Sequence, residues 1–188
     1  MKVKFLIIKY ILFNMVKAFL LNEQNKSYSL EDLAKLGVLY FAFNPQTYDK
    51  DESLDKVMKE RNYGHISIVT LSQESLPNFK ESLAKFFDEH FHDHEEIRFV
   101  LEGRGNFDVR NEKEEWVRIF VEPGDLIILP AGISHRFSLC ENEYAKVMRL
   151  FQANIEPIWI AHSLGNKENL KKEAYNNYQE FIKKQFKF

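Results

Sequence analysis

Between His90 and Gln152 the chain reads as short alternating runs broken by turn residues, and this texture narrows the folds open to it. "HDHEEIRFVLEGRGNFDVRN", "EWVRIFVEPGDLIILPAGISHRFSL" and "YAKVMRLFQ" are rich in Val, Ile and Phe, with Gly, Pro, Asn and Asp between the runs. Branched and aromatic side chains fit a pleated, half-buried surface, whereas the intervening residues end strands. Several short strands at such spacing predict a compact antiparallel barrel or sandwich. The 188 residues suit one domain, and 45% apolar residues can fill its core. Seventeen phenylalanines against seven glycines point to an aromatic interior.

The region before His90 has helical texture. "YSLEDLAKLGVLY" starts with Ser29 as an N-cap, continues Leu30, Leu33 and Leu36 at helical spacing, and stops at Gly37. "DESLDKVMKERNY" predicts a second, charged helix, and "GHISIVTL" alternates like a strand. "LPNFKESLAKFFDEH" predicts a third helix, with Leu76, Phe79, Leu83, Phe86 and Phe87 on one apolar face. The lysine-rich tail, "NKENLKKEAYNNYQEFIKKQFKF", reads as an amphipathic helix that packs outside or frays. At the N-terminus, Lys9 interrupts the apolar stretch and no small-residue cleavage site follows, so a signal peptide is a poor match. The expected organisation is an extension over 1–14, a domain over 15–160 opening at Met15 with "MVKAFLL" as its first strand, and a charged helical tail over 161–188.

Charge gives no hint of a polyanionic partner. Lys and Arg total 26 against 28 Asp and Glu, a net −2, with a pI near 6.3. Neither nucleic acid nor a membrane surface is expected as a partner. One cysteine, Cys140, excludes a disulfide framework within the chain and fits a reducing compartment. It ends an apolar run with no histidine near it in sequence, so a structural thiol is expected.

Three of the six histidines fall inside "EHFHDHEEIRFV", beside four carboxylates. A solvated charge cluster would explain the composition but not the spacing. In a strand, residues two apart face the same way. His90, His92, Glu96 and Arg98 therefore share one face, even if a kink falls between His92 and Glu96. Two imidazoles and a carboxylate with open positions are a ligand set for non-heme iron. His135, just past the Pro130 and Gly132 turn in "LPAGISHRF", could reach the pair by antiparallel pairing. His94 has the same parity but sits in the acidic stretch and reads as a surface or loop residue. His65 suits a core or outer supporting position, and His162 has no partner in sequence. Glu95 is expected to face solvent.

The spacing of these residues resembles the two cupin motifs. His90, His92, Glu96 and Gly103 match the first, with Ala84 where its leading glycine is usual. Gly124, Pro130, Gly132 and His135 match the second, with Leu139 where asparagine is common. Neither departure touches a candidate ligand. More narrowly, "FFDEHFHDHEEIRFVLEGRGNFDVR", "GDLIILPAGISHRF" and the upstream "SLEDLAKLGVLY" resemble the acireductone dioxygenase family of methionine salvage, in its eukaryotic form.

The resemblance implies a mainly β fold with flanking helices, a double-stranded β-helix or jelly-roll barrel. It implies one Fe²⁺ or Ni²⁺ per chain on His90, His92, Glu96 and His135. Substrates would be an acireductone and O₂. The iron form would give formate and 4-methylthio-2-oxobutanoate, and the nickel form formate, carbon monoxide and 3-methylthiopropanoate. Arg98, on the same face, would hold an enolate oxygen; Phe86 and Phe137 would wall the methylthio end, with plain core packing as the alternative for each; Glu89 is a candidate base or a carboxylate supporting a ligand. A monomer is expected, in the cytoplasm with nuclear entry also allowed. A non-catalytic metal-binding cupin and a different small-molecule cupin enzyme are the alternatives.

Overall fold

A computed structural model describes residues 16–153, 155–161 and 172–186. The expected extension over 1–14, the Met15 start and His162 lie outside the described residues. Strands β1 (Lys17–Leu20) and β2 (Glu23–Ser27) open the described chain. Helix α1 (Leu30–Lys35) begins at Ser29, whose hydroxyl accepts from the Asp32 amide while the Asp32 carboxylate accepts from the Ser29 amide. This reciprocal pairing satisfies two donors that a helix start leaves open. Strand β3 (Leu39–Ala42), helix α2 (Glu52–Glu60) and strand β4 (Tyr63–Leu71) follow.

Helix α3 (Phe79–Phe87) departs from its single predicted face. Phe79 is buried in the core, whereas Phe87 is 44% exposed beneath the Arg136 guanidinium, 4.3 Å from its ring centre.

The remaining strands are β5 (His90–His92), β6 (Glu96–Gly103), β7 (Gly105–Arg110), β8 (Trp116–Val121), β9 (Asp125–Leu129), β10 (His135–Leu139), β11 (Ala145–Gln152) and β12 (Trp159–Ala161). Helix α4 (Glu173–Phe186) closes the described chain. The strands form two antiparallel sheets, ordered β12-β5-β10-β7-β8-β1-β2 and β3-β9-β6-β11-β4. The predicted barrel or sandwich is thus a two-sheet jelly roll with flanking helices.

Strand β6 is covered on both faces. Ile97, Phe99 and Leu101 pack with Leu54 and Val57 of α2 on the outside, while Val100 joins the cluster between the sheets. Each fully buried Ile or Phe contributes about 1.5–3 kcal/mol relative to exposure. The outer cover therefore fixes the strand strongly enough for Glu96 and Arg98, of opposite parity, to be held inside.

The tail helix packs rather than frays: Tyr178 and Ile182 are buried, and the Tyr178 hydroxyl donates to the Leu36 carbonyl at 3.1 Å. Among the described residues no helix is long and apolar enough to cross a membrane.

The turn before β9 carries a buried acid. Asp125 accepts from the Tyr40 hydroxyl at 2.5 Å and from the Glu122 amide at 2.8 Å. Burial pushes its carboxyl up to about 6, against the pull of the Tyr40 hydrogen bond. Between about pH 4 and 6 the folded chain keeps this proton after the unfolded chain has released it, so its contribution to stability falls as pH rises through that window. Asp125→Asn should remove about 1–2 kcal/mol of that decline. Urea unfolding of both proteins at about pH 4.5 and pH 6.5 checks the difference.

Candidate metal centre

The bend at residues 93–95 carries the chain from one sheet to the other. His90 and His92 lie on β5 in the seven-stranded sheet, and Glu96 on β6 in the five-stranded sheet. Their shared parity survives the crossing, so the three meet across the interior. His135 stands directly opposite His90 in the β10–β5 register. One ligand atom from each of the four side chains lies within 4.8 Å of all the others. Ring centres separate by 5.2 Å for His90–His92, 4.4 Å for His90–His135 and 5.3 Å for His92–His135. All four residues are at most 9% exposed.

Each imidazole is aimed by a backbone carbonyl. His90 Nδ1 lies 2.7 Å from the Asp88 oxygen, His92 Nδ1 2.8 Å from that of Ile158, and His135 Nδ1 2.9 Å from that of Ile133. A carbonyl accepts only, so each Nδ1 carries the hydrogen and each Nε2 lone pair is left for the interior. Glu96 Oε2 sits 2.7 Å from His92 Nε2 and 3.3 Å from His135 Nε2.

Burial pushes the His90 imidazole down to about 3, helped by His135, so it is neutral at pH 7. Burial raises Glu96, but Arg98 and the two histidines outweigh it and hold the carboxyl well below its usual range. Burial also lowers His92, yet Glu96 wins and raises it. A cation needs each Nε2 free of a proton, so affinity falls as pH falls.

Ligands about 2.0–2.2 Å from one ion lie at most ~4.4 Å apart. The four donors therefore need only slight closure to share a single cation. Three neutral nitrogens and one carboxylate suit iron, nickel or zinc better than calcium or magnesium.

Beside the cluster lies a cavity of about 290 Å³. Phe86, Phe107, Phe137, Val100 and Val147 line its apolar part, and Arg98, Arg149 and Trp159 join the four clustered residues at its polar end. Gly105 lets the Phe137 ring lie against β7, for a Cβ there would meet that ring at 2.5 Å. Arg98 places Nη2 3.4 Å from Glu96 Oε1 and donates from Nη1 to the Ile97 carbonyl at 3.0 Å. Burial lowers its pKa while Glu96 opposes that, and it stays cationic.

Several sequence expectations require correction. Glu89 does not line the cavity, and its carboxylate is gripped by Arg110 at 3.0 and 2.8 Å. Residues next in sequence on a strand face opposite ways, so adjacency to His90 carries Glu89 off the site. Glu95 is not solvent-facing but accepts from Arg61 and, at 2.6 Å, from the Tyr63 hydroxyl. His65 is exposed rather than in the core, with its ring 5.2 Å from that of Phe151. His94, by contrast, lies in the bend and outside the cavity lining, as expected of a loop residue, with Nδ1 3.1 Å from Asp93.

Two cavity residues went unanticipated. Trp159 stacks on His90 with centres 5.3 Å apart, and its Nε1 is buried without an acceptor among the described residues. Arg149 is the register neighbour of Arg98. Its signal was present: it shares strand parity with Ala145 and Val147, so it is a charge on an apolar face. Trp159 sits on a strand of three residues, too short for any alternation to show.

A two-sheet barrel that turns three histidines and a glutamate toward one cavity is a metal-binding cupin. Residues 20–161 match the model of the ARD/ARD′ family. The chain belongs to that family, the acireductone dioxygenases. An acireductone dioxygenase of Macaca mulatta is 43% identical over 160 residues, covering 85% of this chain and 87% of its own. One of Homo sapiens is 44% identical over 153 residues, covering 81% and 83%. The acireductone dioxygenase of Bacillus anthracis, solved with a cadmium ion in its active centre, superposes with a TM-score of 0.66 at 25% identity, covering 78% of this chain and 99% of that one.

Proposed function

We propose that the chain is a metal-dependent dioxygenase of methionine salvage that cleaves 1,2-dihydroxy-3-keto-5-methylthiopentene with O₂. The Fe²⁺ form would yield formate and 4-methylthio-2-oxobutanoate. The Ni²⁺ form would yield formate, carbon monoxide and 3-methylthiopropanoate. The observation that carries this reading is the meeting of His90, His92, Glu96 and His135 at the polar end of a small apolar cavity that also holds the half-buried cation Arg98.

The divalent ion, when bound, supplies a Lewis acid that lowers the pKa of the enediol hydroxyls. The protein does the rest by placement. Arg98 is a fixed, planar, permanently charged donor positioned for an enolate oxygen, and such a donor works best where water is excluded. The Trp159 indole N–H is a second donor available to a ligand oxygen. The Phe86 and Phe137 rings offer an apolar wall on which a thioether packs well. Arg98 also speaks against a purely structural ion site, because half-burying a guanidinium with one carboxylate and one carbonyl as partners is costly unless a ligand uses it.

Protein stripped of metal and reloaded with Fe²⁺ should consume O₂ when mixed with freshly generated acireductone, and formate should appear in step. Reloading with Ni²⁺ should add carbon monoxide. An iron-loaded sample that leaves O₂ untouched, while an active family member consumes it, refutes the reading. The proposal includes a monomer resident in the cytoplasm, with nuclear entry. Light scattering behind a sizing column, and imaging of a tagged chain, test those two points.

A further inference from the structure

The tail helix reaches both ligand-bearing segments from behind. Phe91 lies between His90 and His92 and points the opposite way, out of the cavity. It is fully buried, and the Tyr175 ring of α4 sits 5.4 Å from it, centre to centre. The second contact is at the turn before His135. Gly132 adopts φ +84, and a Cβ there would lie 2.1 Å from the Ala174 carbonyl oxygen and 2.9 Å from Tyr178. Only glycine permits this approach, since both the conformation and the space exclude a side chain. The Gly132 amide in turn donates to the His92 carbonyl at 2.9 Å. One residue further on, the Ile133 carbonyl orients His135. The first turns of α4, the 131–134 turn and β5 therefore form a continuous stack behind the imidazoles. No residue of α4 lines the cavity, and α4 lies beyond the residues that the family model matches.

We propose that α4 sets the spacing of the metal site: Tyr175, through Phe91, and Ala174, through Gly132, are positioning residues that hold His135 at the right distance from His90 and His92. The role needs no contact with metal or substrate. Packed interiors pass on displacements of a few tenths of an ångström rather than absorbing them. The proposal rests on the metal reading of the four-residue cluster but not on the identity of the substrate.

The test compares Ni²⁺ affinity with stability in the full-length chain. Tyr175→Ala removes the ring behind Phe91. Leu20→Ala, in β1 and three strands away from β10 in the same sheet, is the control for general loosening. Ni²⁺ dissociation constants come from competition with a chromophoric chelator, and melting temperatures from the metal-free proteins. Tyr175→Ala should weaken Ni²⁺ about tenfold or more, the scale on which losing an outer partner of a metal ligand is felt. Leu20→Ala should lower the melting temperature and leave Ni²⁺ affinity within about twofold, beneath that roughly 10–100-fold scale. Tyr175→Phe should restore binding, because the ring and not the hydroxyl touches Phe91. The Co²⁺-loaded Tyr175→Ala protein should show altered d–d absorption.

Unchanged Ni²⁺ affinity in Tyr175→Ala overturns the proposal, and so does equal weakening in Leu20→Ala. If Tyr175→Ala fails to accumulate, Tyr175→Leu is judged on the same criteria. Wild-type protein that binds no Ni²⁺ overturns the metal reading along with this one, whereas binding that ignores α4 overturns this one alone.

Discussion

Replacing His92 with alanine should strip the protein of its metal, while His94→Ala leaves loading near that of the wild type. The two residues share strand parity and are separated by one position, so sequence alone offers little to choose between them. In the structure His92 Nε2 faces Glu96 at 2.7 Å, whereas His94 lies in the bend with Asp93 as its neighbour. Loss of His92 removes one nitrogen donor and leaves Glu96 without its nearest partner. The drop in affinity should exceed the roughly 10–100-fold that follows loss of an outer partner. Elemental analysis of both variants after dialysis against a weak chelator decides the matter. Equal metal loss in the two would mean that the wrong histidines had been assigned.

Arg98→Gln should keep the metal and lose turnover. Arg98 is not in the donor cluster, but it stands at the polar end of the same cavity, between Glu96 and the neighbouring Arg149. Removing one preorganised donor of this kind lowers the rate by about 10²–10³-fold. The loss should appear in kcat, because the interaction strengthens as charge builds on the substrate oxygen. Arg98→Lys keeps the charge but not the planar fork, and should fall between the two. Burial raises the Glu96 carboxyl and Arg98 is the first influence holding it down, so metal retention in Arg98→Gln should also weaken at lower pH. Wild-type kcat in Arg98→Gln would remove Arg98 from the mechanism.

Much of the centre was legible before any coordinates because strand parity is a local rule. His90, His92, Glu96 and Arg98 could be assigned to one face without knowing which strands pair. His135 could be added because Pro130 and Gly132 announce a turn just before it. What stayed hidden was non-local. Nothing in "DHE" says that the chain there changes sheets. The Ile158 carbonyl that holds His92 is a backbone atom, which no residue type betrays. Trp159 reaches His90 only because β12 pairs with β5. Glu89 shows the opposite failure, where proximity in sequence suggested a role that the alternation of the strand denies. The docking of α4 was left open because an amphipathic tail has an apolar face whether or not anything receives it.

The three imidazoles owe their orientation to peptide oxygens, at Asp88, Ile133 and Ile158. A carbonyl of the main chain is present whatever side chain is attached. No point mutation can therefore delete one of these acceptors; it can only move it. Selection has no residue here to exchange for a stronger or weaker anchor, and the ring angles answer solely to the path of the main chain. In such a protein, tuning of the ion must come from remote changes that bend that path.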